Sequence, residues 1–287
     1  MIGPPTISAV RQIALNILGS SKAKKYRPEV NIMLEYATGI PVSRQPIEYD
    51  HILEGDEYTK FFDAVEQRKA GRPLQYIIGS APFRHFELYV EEGVLIPRPE
   101  TEILVEEAIA ALKPSAENLE ILEIGCGSGC IVCSLAYEIA GAKITATDIN
   151  PKALEITKKN AKKYELEKRI ELVEADMFPQ TDTKYDLIIS NPPYVPRAVY
   201  ETLEAEVKDF EPPEALVSGE DGLDFFRKFI ELAPHYLKEN GIIAVELFED
   251  NLDMAKDIVQ VAGFQNCEIK KDLNNKDRIL IATSFRA

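Results

Sequence analysis

Glu123-Ile-Gly125-Cys-Gly127-Ser-Gly129 is the stretch that decides the fold. It follows an apolar run, Leu119–Ile124, and leads into a segment of helical character. Its glycines permit a tight turn and let the backbone come close to a ligand. The dinucleotide pattern Gly-x-Gly-x-x-Gly has a last gap of two residues, whereas every gap here is a single residue. Working outward, strand-like runs recur at Lys143–Asp148, Ile170–Ala175, Leu187–Ser190, Ile242–Glu246, Cys267–Lys270 and Ile279–Thr283. Helical segments fall between them, such as Pro151–Lys163, with Asn150 placed to cap it and Pro151 at its first position. Alternation of this kind predicts an α/β fold, a mostly parallel seven-stranded sheet wrapped by helices.

Upstream the periodicity differs. Val10, Ile13, Ala14, Ile17 and Leu18, then Val30, Met33, Leu34 and Ala37, recur at helical spacing, and a third helix is expected over Tyr58–Lys69, stopped by Gly71 and Pro73. Residues 1–80 therefore read as a small helical bundle. Phe83 to Val90 and Val94-Leu-Ile96 read as two short strands joined at Glu92-Gly93, a hairpin linker over 81–97. A helix then opens after Pro97-Arg-Pro-Glu-Thr-Glu102, and the Rossmann-like domain spans 98–287. The 33 basic and 48 acidic side chains leave a formal charge of −15. The excess of acid lies after residue 90, which speaks against a phosphate-backbone grip and suits either a basic protein partner or solubility alone. No apolar run is long enough to span a membrane. Met1-Ile-Gly-Pro-Pro-Thr-Ile-Ser8 lacks the features of a signal peptide, so a cytoplasmic protein, acting as a monomer, is expected.

The single-gap glycine turn after an acidic residue resembles motif I of class I S-adenosylmethionine-dependent methyltransferases. The chemistry agrees. A pyrophosphate wants helix-dipole and amide donors, whereas S-adenosylmethionine carries an ammonium and a sulfonium, which an acid such as Glu123 suits. Asp148 ends the second strand 19 residues past Gly129, where a carboxylate can accept both ribose hydroxyls. Asp176-Met177-Phe178, after the third strand, fits an adenine pocket, with a carboxylate for the exocyclic amine and apolar flanks for the ring.

Cys126-x3-Cys130-x2-Cys133 has the spacing of the iron–sulfur motif of radical S-adenosylmethionine enzymes. Those cysteines overlap the glycine turn and the helix after it, where cysteine serves as a small apolar residue. The packing reading is preferred, and no metal is expected.

Asn191-Pro192-Pro193-Tyr194 comes straight after the fourth strand, at the edge of the sheet where ligands bind in open α/β folds. A planar amino group on an sp² carbon is a poor nucleophile, because its lone pair is delocalised. The Asn191 side-chain oxygen and the Pro192 carbonyl can each accept one of its N–H bonds, orienting the nitrogen and enriching it in electrons. Tyr194 can stack on its flat face. Attack on a sulfonium methyl then needs mainly positioning and electrostatics.

Longer segments narrow the reading. Arg72-Pro-Leu-Gln-Tyr-Ile-Ile-Gly-Ser-Ala-Pro-Phe83, Val94-Leu-Ile-Pro-Arg-Pro-Glu-Thr-Glu102, Glu211-Pro-Pro-Glu-Ala-Leu-Val-Ser-Gly-Glu-Asp-Gly-Leu223 and Lys276-Asp-Arg278 resemble the HemK/PrmC family, the release factor N5-glutamine methyltransferases. The resemblance implies that the bundle recognises substrate, and that the substrate is the glutamine of the Gly-Gly-Gln motif of class I release factors, with S-adenosyl-L-homocysteine as the co-product. It assigns the cofactor to Glu123, Ile124, Gly125, Cys126, Gly127, Asp148, Met177 and Asn191, with Thr101 bordering the pocket, and Ser128, Gly129, Ile149 and Asp176 beside them are further candidate cofactor residues. It assigns the glutamine to Asn191, Pro192, Pro193 and Tyr194, with Asn191, Pro192 and Tyr194 acting catalytically. Glutamine methylation of a ribosomal protein remains an alternative, as does adenine N6-methylation of nucleic acid, against which the net charge speaks. Phe248 and Asn251 stand where the family usually has a glycine and a glutamine, and Ser218-Gly219 replaces the usual Gly-Gly.

Overall fold

The computed structural model describes residues 5–112 and 118–285. The residues before Pro5, on which the reading of the N-terminus partly rests, lie outside them. Two compact units emerge, one running to Gly79 and including Ala205–Phe210, the other made of Ser80–Glu204 and the chain from Glu211 onward.

In the first unit, α1 (Ile7–Gly19), α2 (Ala23–Thr38) and α3 (Gly55–Lys69) pack together, followed by the short α4 (Leu74–Ile78). The expected periodicities supply the core: Val10 and Ala14 of α1 meet Val30, Met33 and Leu34 of α2 and Phe61 and Val65 of α3. Arg68 is buried among them. Its guanidinium donates to Glu29 at 2.5 Å and to Glu206 at 2.8 Å, which ties the 205–210 segment into this unit. A buried cation needs such partners, because unpaired charge in a core costs several kcal/mol.

The second unit opens with β1 (Ser80–Phe83) and β2 (Phe86–Tyr89), an antiparallel hairpin. The expected hairpin is corrected in two respects. Its turn lies at Arg84-His85, and Val94–Ile96 is a buried loop rather than a strand. Arg84 adopts a left-handed φ of 47°, held by tertiary contacts: its N–H donates to Glu102 and its guanidinium makes a two-pronged pair with Glu138 at 2.7 and 2.8 Å. Gly93 instead turns the chain so that its carbonyl accepts from the Asn150 side chain. The hairpin also groups with the second unit instead of standing apart as a linker.

After α5 (Pro99–Ala111), β3 (Glu120–Ile124), α6 (Cys130–Glu138), β4 (Lys143–Asp148), α7 (Pro151–Lys163), β5 (Ile170–Glu174) and β6 (Tyr185–Ser190) alternate as expected. Short helical turns α8 (Arg197–Tyr200) and α9 (Ala205–Lys208) precede α10 (Asp224–Leu232), β7 (Leu237–Glu246), α11 (Leu252–Val261), β8 (Phe264–Lys271) and β9 (Asp277–Phe285). The sheet order is β5-β4-β3-β6-β7-β9-β8, parallel except for the pairings of β9. Both faces are covered, which is why the central strands are continuously apolar. Ile121, Leu187 and Ile189 pack on one side with α5 and α6. Leu122, Ile188 and Ile243 pack on the other with α10 and α11. The chain starts at β3, runs outward through β4 and β5, then returns to β6 on the far side of β3. That reversal opens a crevice beyond the carboxyl ends of β3 and β6.

Candidate active site

A cavity of about 340 Å³ occupies this switch point, within the range of small-molecule sites. It is lined by the turn after β3, by Asp148 and Ile149 after β4, by Asp176 and Met177 after β5, and by Asn191, Pro192 and Pro193 after β6. Arg98, Thr101 and Glu214 complete its polar wall.

The glycine turn is held by the neighbouring strand. The N–H groups of Gly125 and Cys126 both donate to the Thr147 carbonyl at 2.9 Å. The Gly127 N–H donates to Asp148 Oδ2 at 2.9 Å and the Asn150 N–H to Oδ1 at the same distance. Asp148 thus presents a fixed carboxylate, each oxygen keeping a lone pair for a further donor. Burial raises its pKa while the Asn150 and Gly127 amides lower it. Gly129 departs from its expected role. It does not line the cavity; it starts α6 at φ 79°, and a Cβ there would lie 2.8 Å from Thr157 Cγ2. Its glycine lets α6 close against α7, behind the site.

Glu123 is 1% exposed and faces the cavity. Among the described residues, neither of its side-chain oxygens has a hydrogen-bond partner. Burial pushes its pKa well above the carboxylate range; the nearby Val132 amide opposes that without closing a hydrogen bond, and the Asp148 charge adds to it. A buried acid without partners is costly unless a donor or cation meets it. Among the described residues that line the cavity, Glu123, Asp148, Asp176 and Glu214 set four acids against one base, Arg98, a lining that disfavours a pyrophosphate and suits a ligand bearing ammonium and sulfonium groups. S-adenosylmethionine fits these residues.

Met177 sits at φ 73°, its carbonyl accepting from the Thr147 hydroxyl at 2.6 Å. Asp176 stands at the rim, exposed and paired with Lys228 at 3.1 Å, so its carboxylate is less enclosed than an adenine-binding role suggests. Ile149 is 65% exposed yet lies on the cavity wall, placing an apolar surface where ligand contact would cover it.

At the end of β6, Asn191 Nδ2 donates to Thr101 Oγ1 at 2.9 Å, and Thr101 Oγ1 donates to Glu246 Oε2 at 2.8 Å. Glu246, at the end of β7, is completely buried and also accepts from the Tyr194 hydroxyl at 2.9 Å. Burial pushes its pKa up, against the hydrogen bonds from Thr101 and Tyr194 and the charge of Arg278. Tyr194 is therefore turned toward Glu246 and is absent from the cavity lining, whereas Asn191, Pro192 and Pro193 are on it. Sequence reading missed Glu246 as a site residue. The only sign was a glutamate closing an apolar strand.

The cysteines act as packing: Cys126 and Cys133 belong to the core cluster, and burial pushes the Cys133 thiol up to about 12. Asn251, one of the departures, donates to the Asp221 carbonyl at 2.7 Å. This steadies the turn containing Gly222, where a Cβ would sit 2.3 Å from the Tyr194 carbonyl oxygen. The substituted position thus supports the Asn-Pro-Pro-Tyr loop from behind.

The sheet order, the glycine turn with its strand-end acid and the Asn-Pro-Pro-Tyr segment define a class I S-adenosylmethionine-dependent methyltransferase. Residues 100–208 match the family Methyltransferase small domain, and residues 10–79 match the PrmC N-terminal domain. The chain is 34% identical over 266 residues to the release factor glutamine methyltransferase of Chlorobaculum tepidum, covering 90% of each protein. It is 34% identical to that of Geobacter sulfurreducens, covering 98% of each. A methyltransferase from Pyrococcus furiosus shares the fold, with a TM-score of 0.53 and 19% identity over 70% of this chain and 89% of that one. The chain belongs to the release factor glutamine methyltransferase family. Among the described residues, no helix is long and apolar enough to cross a membrane.

Proposed function

We propose that this protein transfers a methyl group from S-adenosylmethionine to the side-chain amide nitrogen of a glutamine, and that this glutamine belongs to the Gly-Gly-Gln motif of class I release factors. The observation that carries the reading is the meeting of Glu123 and Asn191 on one cavity at the switch point. One is an acid lacking a donor, the other an amide at the mouth of the Asn-Pro-Pro-Tyr loop. The relatives' shared name supports the choice of substrate.

Glu123, Gly125, Gly127, Asp148, Ile149 and Met177 would hold the cofactor, which when bound supplies a methyl on a sulfonium whose C–S bond breaks with both electrons left on sulfur. Asp148 would accept its ribose hydroxyls, the Gly127 and Asn150 amides keeping the carboxylate in place. Asn191 Oδ1 and the Pro192 carbonyl accept the two N–H bonds of the substrate amide, fixing its plane and raising electron density on nitrogen. The amide proton is lost to solvent as the N–C bond forms, so no strong base is required beforehand. Pro192 and Pro193 stiffen the loop and bring no N–H of their own to compete. Asn191→Ala tests this directly. Transfer falls by at least about 100-fold while cofactor affinity, measured by calorimetry, stays within a few-fold; a variant with near-wild-type turnover would exclude Asn191 from the chemistry.

A further inference from the structure

The hydrogen bonds behind Asn191 decide which way its amide faces. A carboxylate only accepts, so both hydroxyls on Glu246, those of Thr101 and Tyr194, must donate to it. Thr101 has a single proton, now spent on Glu246, and its oxygen can only accept from Asn191 at 2.9 Å. The Asn191 NH₂ must therefore face Thr101, and its oxygen is left for the cavity.

We propose that Glu246 and Thr101 are positioning residues that set the orientation of the Asn191 amide, so that an acceptor rather than a donor meets the substrate nitrogen. Asn191 alone could turn over by half a revolution at almost no steric cost and present its NH₂, which would repel the substrate's own N–H bonds. The buried Glu246 charge removes that alternative. It also polarises the chain of hydrogen bonds in one direction, making Asn191 Oδ1 a stronger acceptor. Tyr194, by donating to the second oxygen, holds the carboxylate plane and serves the same end from the other side. This inference rests on the proposed glutamine methylation for its chemical purpose, but the orientation itself does not depend on turnover.

Two measurements separate them. In the cofactor-free protein, the Asn191 side-chain NH₂ is observed by ¹⁵N NMR, assigned with Asn191→Ala. Its proton exchange is expected to be slowed at least about tenfold against exposed asparagines. The slowing is expected to vanish in Thr101→Val and to persist in Thr101→Ser. In methyl transfer to a release factor, Thr101→Val is expected to lower kcat about 10- to 100-fold with both KM values within about twofold, Thr101→Ser to recover most of that loss, and Glu246→Gln to resemble Thr101→Val. A purely structural role would not give this split with rescue. Equal Asn191 exchange in wild type and Thr101→Val overturns the inference whether or not the protein methylates release factors. Slowed exchange in wild type without any transfer would uphold the orientation and overturn the proposed activity.

Discussion

Replacing Glu123 by glutamine is expected to move stability and ligand affinity in opposite directions. The carboxylate is 1% exposed and neither oxygen has a hydrogen-bond partner among the described residues. Leaving a buried polar group unsatisfied costs about 1–3 kcal/mol, and more when it is charged. Glutamine keeps the shape but stays neutral, so it is spared the part of that cost that ionisation adds, and Glu123→Gln is expected to stabilise the cofactor-free protein by about 1–3 kcal/mol at neutral pH. At roughly 2–4 °C per kcal/mol for a unit of this size, Tm rises by roughly 2–12 °C. The same change deletes a charge-assisted contact to the ligand, worth about 1.5–3 kcal/mol, so cofactor Kd rises roughly 10- to 150-fold. The pH dependence has a definite sign. The folded pKa of Glu123 lies above its unfolded value, so the penalty is absent below the unfolded glutamate value of about 4.3. It grows with pH and levels off above the folded pKa. The Tm gap between variant and wild type therefore widens from acid to neutral pH. Scanning fluorimetry across pH, with calorimetry of cofactor binding, measures both effects. A variant that is less stable than wild type, or that binds the cofactor as well, would refute the assignment of Glu123 as an acid kept for its ligand.

Other consequences follow from the same geometry. Gly129→Ala must place a Cβ 2.8 Å from Thr157 at φ 79°, costing about 2–5 kcal/mol, read as a drop in the urea midpoint. Cys133, its thiol pushed up to about 12, is expected to alkylate roughly a thousandfold more slowly at pH 8 than a free thiol, and to react normally after unfolding; peptide mass mapping checks this. Protonating Glu246 gives it a proton to donate, frees Thr101 to donate to Asn191 and lets the amide turn over. Thr101 and Tyr194 face this carboxyl, with the charges of Arg278 and Glu100 nearby. Because burial raises its pKa, kcat is expected to fall on the acid side at a pH above the ordinary glutamate range, and Glu246→Gln to lose that limb.

The parts of the fold legible in the sequence were those set by local chemistry. Single-gap glycines after an acid, apolar runs broken by helical segments and an Asn-Pro pair each carry their meaning within a few residues, and Asn150 does cap α7 by accepting from the Lys152 N–H. What stayed hidden was set by distant partners. The hairpin turn sits on Arg84 because Glu102 and Glu138, 18 and 54 residues away, hold that arginine in a conformation it would otherwise avoid. Glu246 meets Thr101 across 145 residues, and Arg68 meets Glu206 across 138; no pattern within either segment announces the pairing. Tyr194 was readable as part of a motif, but the direction of its hydroxyl depended on that same unseen glutamate.

The most direct test of the central claim is transfer of labelled methyl from S-adenosylmethionine to a purified class I release factor, beside the same factor with the glutamine of its Gly-Gly-Gln motif replaced. Label on the intact factor and none on the substituted one is the result predicted here. Equal labelling of both, or labelling of neither, would contradict it.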